Sequence, residues 1–153
     1  MKSKREVAVE KFLENYNCAQ SVLYSFCDDL RFDKNTALKM TCGLGAGMGR
    51  KQEVCGAVTG GIIVIGAKYG RGEGEDRRAT ELTYAKPENS WNALSGNTAP
   101  LFVGNCELTT EEGQKHFKDN DLAKKTCKQC VGTVVEILED IMETGSRGIE
   151  VSP

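Results

Sequence analysis

The stretch that most restricts the fold is residues 42–70, CGLGAGMGRKQEVCGAVTGGIIVIGAKYG. Gly43, Gly45, Gly47 and Gly49 form a glycine-dense loop leading into Glu53-Val54-Cys55, and a wholly apolar run follows from Ile62 to Ile65. Glycine at this density lets backbone pass close to backbone, or to a bound group, where a Cβ would clash. A thiol at the seam between such a loop and a buried segment is placed for chemistry, though cysteine is also often buried as a small hydrophobe. Two phosphate-binding signatures are excluded. A dinucleotide fingerprint reads G-x-G-x-x-G after a strand, whereas these glycines alternate as G-x-G-x-G-x-G. A P-loop needs Gly-Lys-Ser/Thr, a triplet that does not occur here.

A chain of 153 residues is expected to form one domain with a real core, with 143–153 as a flexible tail. A net charge of −2 offers no footprint for nucleic acid or an anionic membrane surface. The start, MKSKREVAVEKF, carries charges where a signal peptide needs its apolar stretch, and the run near Ile62 is too short to span a membrane. A soluble, cytoplasmic protein is expected. Seven cysteines, an odd number, then argue for metal or redox use over a structural disulfide framework. With His116 as the one histidine, triads and histidine-rich zinc sites have little to work with.

The pattern predicts an all-α bundle of about five to seven helices around a buried, glycine-rich central helix. Ser3-Lys4-Arg5-Glu6 fits a capping box, followed by Ala8, Phe12 and Leu13 at helical spacing. Asn17 can cap a second helix, with Gln20 three residues on and Val22, Leu23, Phe26, Cys27 and Leu30 as its buried face. Cys18 then falls in the first turn, where the positive dipole end favours a thiolate, while Cys27 reads as core. Asp33 can cap a short third helix that places Cys42 in its last turn, where the dipole opposes a thiolate. From about Lys51 to Tyr69 length favours helix and the β-branched run favours strand. Helix is preferred because a lone strand would leave its backbone unpaired. Gly56, Gly60 and Gly61 each cost that helix roughly 1 kcal/mol of propensity, which close helix packing can offset. Cys55 again lies near a helix start.

Asp76 to Ala85 reads as a polar helix, and Pro87–Pro100 leaves helix and break open, with Trp91 as an anchor to the core. Cys106 falls in a loop, and Thr109-Thr110-Glu111-Glu112 fits a capping box for a helix that carries His116 at the surface. The last helix has the clearest stripe: Cys127, Cys130, Val131, Val134, Leu138, Ile141 and Met142, closed by Gly145. Cys127-Lys128-Gln129-Cys130 is a C-x-x-C whose sulfurs share one helix face, close enough for a disulfide or a shared metal. With Thr126 as N-cap, Cys127 opens that helix, and Lys124, Lys125 and Lys128 are expected to lower a thiol pKa. Both cysteines also fit the apolar stripe, and neither a βαβ context nor a second C-x-x-C accompanies them.

Asn17-Cys18-Ala19-Gln20-Ser21-Val22-Leu23, Gly45-Ala46-Gly47-Met48-Gly49 and Glu53-Val54-Cys55-Gly56-Ala57-Val58-Thr59-Gly60 resemble a redox-active protein family named for the pattern C…CGAxxG…C…C. Its members are small bacterial and archaeal proteins, and the resemblance covers roughly residues 5–142. It implies Cys18, Cys55, Cys106 and Cys127 as the working cysteines, with Cys27, Cys42 and Cys130 as extras. Gly45, Gly47, Gly49 and Gly56 are expected to line the cysteine cluster.

Three functions compete. In the first, a helix-start thiolate at Cys55 or Cys18 reacts and a second cysteine resolves it as a disulfide, with an unidentified redox partner. In the second, Cys18, Cys55, Cys106 and Cys127 are four thiolate ligands of an iron–sulfur cluster or another metal. In the third, the cysteines only pack. A homodimer is compatible with the glycine-rich helices, whose close packing works equally within or between chains.

Overall fold

The computed structural model describes residues 1–86 and 108–145, so Trp91, the Pro87–Pro100 stretch, Cys106 and the tail beyond 145 lie outside the described residues. The described residues form helices and no strand. None of these helices is long and apolar enough to cross a membrane.

Local chemistry starts each helix. Ser3 caps α1 (Lys4–Leu13): the Glu6 amide donates to its hydroxyl, and the Ser3 amide donates back to the Glu6 carboxylate. Asn17 and Gln20 close the same box at the start of α2 (Cys18–Leu30), each amide donating to the other's side-chain oxygen at 3.0 Å. Two backbone donors are satisfied at each of these starts. Asp33 accepts from the Thr36 amide at the head of α3 (Lys34–Thr41).

The 51–69 segment is helical, as expected, but it begins later. Cys55 is the N-cap and α4 runs Gly56–Tyr69. A further helix, α5, covers residues 78–86. The expected box at 109–112 is replaced by a one-sided cap. Thr110 is the N-cap of α6 (Glu111–Asp119) and accepts from the Gly113 amide, and Gly113 has no side chain to reach back. His116 is exposed on α6. Thr126 caps nothing: a π-helical turn at Ala123–Cys127 runs straight into α7 (Lys128–Gly145). Single π turns often mark functional positions.

The most embedded element is α2, which packs against α1, α3, α4 and α7. Val22, Leu23, Phe26 and Cys27 are fully buried, together with Val64 of α4 and Val131, Val135 and Leu138 of α7. The glycine-rich α4 is buried along the side facing α2 and α7, whereas Ile62, Gly66, Ala67 and Lys68 face outward. Its seam with α2 depends on missing side chains. A Cβ on Gly56 would sit 3.0 Å from the Leu44 carbonyl oxygen and 3.4 Å from the Cys18 Cβ, and one on Gly60 would be 2.8 Å from the Ala19 carbonyl oxygen. The two helix starts, and their cysteines, are thereby pressed together.

Candidate functional site

Four sulfurs meet at this seam. Cys18 comes from the first turn of α2, Cys55 from the N-cap of α4, Cys127 from the π turn and Cys130 from the first turn of α7. All four are free thiols. Cys18 shares its proton with Cys127 and Cys55, and Cys55 faces the Cys130 thiol on its other side. The order of interaction is Cys130, Cys55, Cys18, Cys127.

The protonation pattern follows from that order. Cys55 is lowered to about 3, first by the Cys130 thiol, then by Cys18, with the Ala57 and Val58 amides of the α4 N-terminus adding to the effect against burial. Cys130 is raised strongly by the Cys55 thiolate and by burial. Cys18 is raised well above its ordinary value by Cys127, then Cys55, then burial. Cys127 is lowered chiefly by the Cys18 thiol, rather than by the lysines expected to act on it. Raised and lowered thiols thus alternate along the row. For Cys18 this reverses the expectation of a helix-start thiolate. The α2 dipole does favour its anion, but hydrogen bonds to the Cys127 and Cys55 sulfurs hold its proton more strongly.

The row opens onto a cleft of about 570 Å³ whose lining includes Cys18, Cys55 and Cys127, but not Cys130. Relative exposures are 8% for Cys18, 6% for Cys55 and 2% for Cys130, while Cys127 is half-buried and the most accessible of the four. Phe12, Phe117 and Leu108 supply apolar wall, and Asn15, Gln114 and Arg50 supply polar groups.

The loop before Cys55 is an unusual piece of backbone. Ala46, Gly47, Met48, Gly49 and Arg50 have φ of 52°, 64°, 60°, 66° and 70°, a left-handed turn closed by the Gly49 amide donating to the Gly45 carbonyl at 2.7 Å. Of the glycines expected to line the cluster, Gly47 and Gly56 do so. Gly45 packs against Asn17, where a Cβ would be 2.6 Å from the side-chain nitrogen, and Gly49 stands away from the cleft lining. Asn17 ties loop to helix: besides capping α2 it donates to the Cys42 carbonyl at 2.9 Å.

The structure therefore brings together Cys18, Cys55 and Cys127 of the expected set. It adds Cys130, whose signal in the sequence was the C-x-x-C spacing itself. Cys106 lies outside the described residues. Cys42 is exposed and apart, and Cys27 is core, its thiol donating to the Leu23 carbonyl at 3.4 Å. Among the described residues no three His, Cys, Asp or Glu side chains are placed to hold a metal ion.

A helical protein with cysteines from separate elements gathered at one cleft belongs to the thiol-bearing α proteins. The family model described as "Putative redox-active protein (C_GCAxxG_C_C)" matches residues 16–141, and the chain belongs to that family. Where the family's pattern reads GCAxxG, this chain carries Cys55-Gly56-Ala57-Val58-Thr59-Gly60, with the cysteine before the glycine. No curated protein and no solved structure matches the chain.

Proposed function

We propose that this protein is a dithiol/disulfide redox protein in which Cys127 attacks and Cys18 resolves. One observation carries the reading: Cys127 is the most accessible sulfur of the row, and the adjacent Cys18 thiol hydrogen-bonds to it and lowers its pKa. The thiolate is the nucleophilic form, and a modestly lowered pKa preserves nucleophilicity better than a deeply lowered one. That favours Cys127 over the more buried Cys55.

The reaction balances as follows. The Cys127 thiolate attacks one sulfur of a disulfide RSSR, forming a mixed disulfide and expelling RS⁻. Cys18 gives its proton to that thiolate and attacks the Cys127 sulfur, expelling the second RS⁻. The protein loses two electrons as a Cys18–Cys127 disulfide, and RSSR gains them as RSH and RS⁻. Cys55 and Cys130 stand beside this pair, with Cys55 holding the Cys18 proton in place. The partner that restores the dithiol is a second thiol carrier.

Anaerobic purification, followed by an absorption spectrum, metal analysis and disulfide mapping after addition of a small disulfide, tests the reading. A colourless protein that forms the Cys18–Cys127 bond supports it. An iron-bearing, coloured protein, or cysteines that all remain free, overturns it.

A further inference from the structure

We propose that the substrate of this cleft is a low-molecular-weight disulfide carrying a carboxylate, with Arg50 as the residue that selects it. The inference rests on the dithiol reading and adds the chemical class of RSSR. A cleft of about 570 Å³ has the size of a small-molecule site. Phe12 and Phe117 offer apolar faces for the alkyl part of such a molecule, and the Asn15 and Gln114 amides offer polar contacts.

Charge makes the choice. Among the described residues Arg50 is the one cationic side chain in the lining, and none of them places a carboxylate there. Arg50 is exposed and forms no salt bridge with any described Asp or Glu, unlike Arg5 with Glu136 or Arg77 with Glu81. Its backbone φ of 70° is one that a long side chain rarely adopts, so the loop holds this guanidinium at the rim at a conformational cost. A guanidinium is shaped to take a carboxylate through two parallel N–H donors. The thiolates of the site push the opposite way: by themselves they attract a cationic disulfide and repel an anionic one. Selection for an anion is therefore a distinctive outcome that the thiol row alone does not give.

The test follows free-thiol loss in the reduced full-length protein with three probes at low ionic strength: dithiodiglycolate (anionic), bis(2-hydroxyethyl) disulfide (neutral) and cystamine (cationic). The anionic probe is expected to react faster than the cationic one. Arg50→Gln should lower the anionic-to-cationic rate ratio about fivefold, the scale of one exposed ion pair, and Arg50→Lys should keep most of it. A cationic preference in the unaltered protein, or a ratio that Arg50→Gln leaves in place, overturns the selection while leaving the dithiol reading standing. Failure of all three probes to oxidise the protein removes both.

Discussion

Gly60 and Ala19 hold α4 against α2 at backbone contact: a Cβ at 60 would lie 2.8 Å from the Ala19 carbonyl oxygen and 2.9 Å from its Cα. Neither atom belongs to a flexible side chain, so Gly60→Ala must push the helices apart. We expect it to destabilise the protein by about 1–3 kcal/mol, the usual cost of overpacking, although alanine is the better helix former. Gly66, on the outer face of the same helix, would meet nothing within 4 Å. There Gly→Ala should stabilise by about 0.5–1 kcal/mol. Opposite signs in denaturant unfolding check the packing; two stabilising results would show that α4 does not lie on Ala19.

Asn17 serves both sides of the site. Its side-chain oxygen caps α2 one residue before Cys18, and its side-chain nitrogen donates to the Cys42 carbonyl that leads into the glycine loop. Loss of a cap costs about 1 kcal/mol, with roughly 2 as the upper end. Asn17→Ala should fall at that upper end, because the Cys42 carbonyl also loses its donor, and Asn17→Asp should recover the cap alone. Unfolding midpoints of the two variants should differ by the cap, and an Asn17→Asp midpoint equal to that of the unaltered protein would mean the Cys42 bond contributes nothing.

Much of this architecture could be read locally. Ser3-x-x-Glu6 and Asn17-x-x-Gln20 announced their helices because capping is decided within four residues. The stripe on α7 likewise identified Val131, Val134 and Leu138 as core. Periodicity states which face a residue occupies but not what waits opposite. That is why Cys130, on the stripe one turn beyond Cys127, was indistinguishable from packing until α7 was seen to lie beside the start of α4. Protonation was less legible still. Cys18 at a helix start reads as a thiolate in isolation, and only its hydrogen bonds to Cys127 and Cys55, distant in sequence, reverse that. The left-handed turn was hidden for another reason: alternating glycines permit it, but Ala46, Met48 and Arg50 adopt it against their own preference.

The thiol row makes a pH signature. Cys55 is lowered to about 3 and Cys127 is also lowered, so the native protein holds fewer protons than the unfolded chain from about pH 3 up to the ordinary thiol range near 9. These two groups therefore add stability as pH rises through that window and lose it as pH falls. Cys18 and Cys130 are raised, so their contribution is complete below the ordinary thiol pKa and declines above it. Thiolate ultraviolet absorbance should persist in the folded protein at pH 6 (about three units below the ordinary thiol pKa) and vanish on unfolding in urea at the same pH. Folded and unfolded protein with the same absorbance at pH 6 would contradict the alternating row.

Single substitutions should separate the roles of the cysteines. Cys127→Ser is expected to slow reaction with a small disulfide by at least 100-fold, since a hydroxyl is not ionised there. Cys18→Ser should still form the mixed disulfide but retain it, which intact-protein mass spectrometry detects as one persistent adduct. Cys130→Ala removes the main influence lowering Cys55, so thiolate absorbance should be lost at a higher pH than in the unaltered protein. Cys27→Ala, deep in α2, should cost about 1 kcal/mol of stability and leave the adduct chemistry unchanged. If Cys27→Ala suppresses adduct formation while Cys127→Ser does not, the assignment of the reacting pair is wrong.

The left-handed turn carries conformational cost that substitution can release. An L-residue in this conformation costs roughly 1–2 kcal/mol relative to the right-handed form, because its Cβ crowds the following carbonyl. Met48 is 41% exposed at φ 60°, so replacing it by glycine removes that crowding while giving up little burial. Met48→Gly should therefore stabilise the protein by about 1 kcal/mol, less the extra freedom glycine gives the unfolded chain. Gly47→Ala should do the reverse. It adds a Cβ at φ 64° that would lie 2.9 Å from the Glu53 amide nitrogen, on the strand of backbone leading to Cys55. The two variants also differ in reach: Met48 is outside the cleft lining, whereas Gly47 is part of it. Gly47→Ala should thus slow Cys127 oxidation as well as lower the unfolding midpoint, and Met48→Gly should raise the midpoint without slowing oxidation. A lowered midpoint for Met48→Gly would mean the turn is held by something other than the backbone geometry at this position.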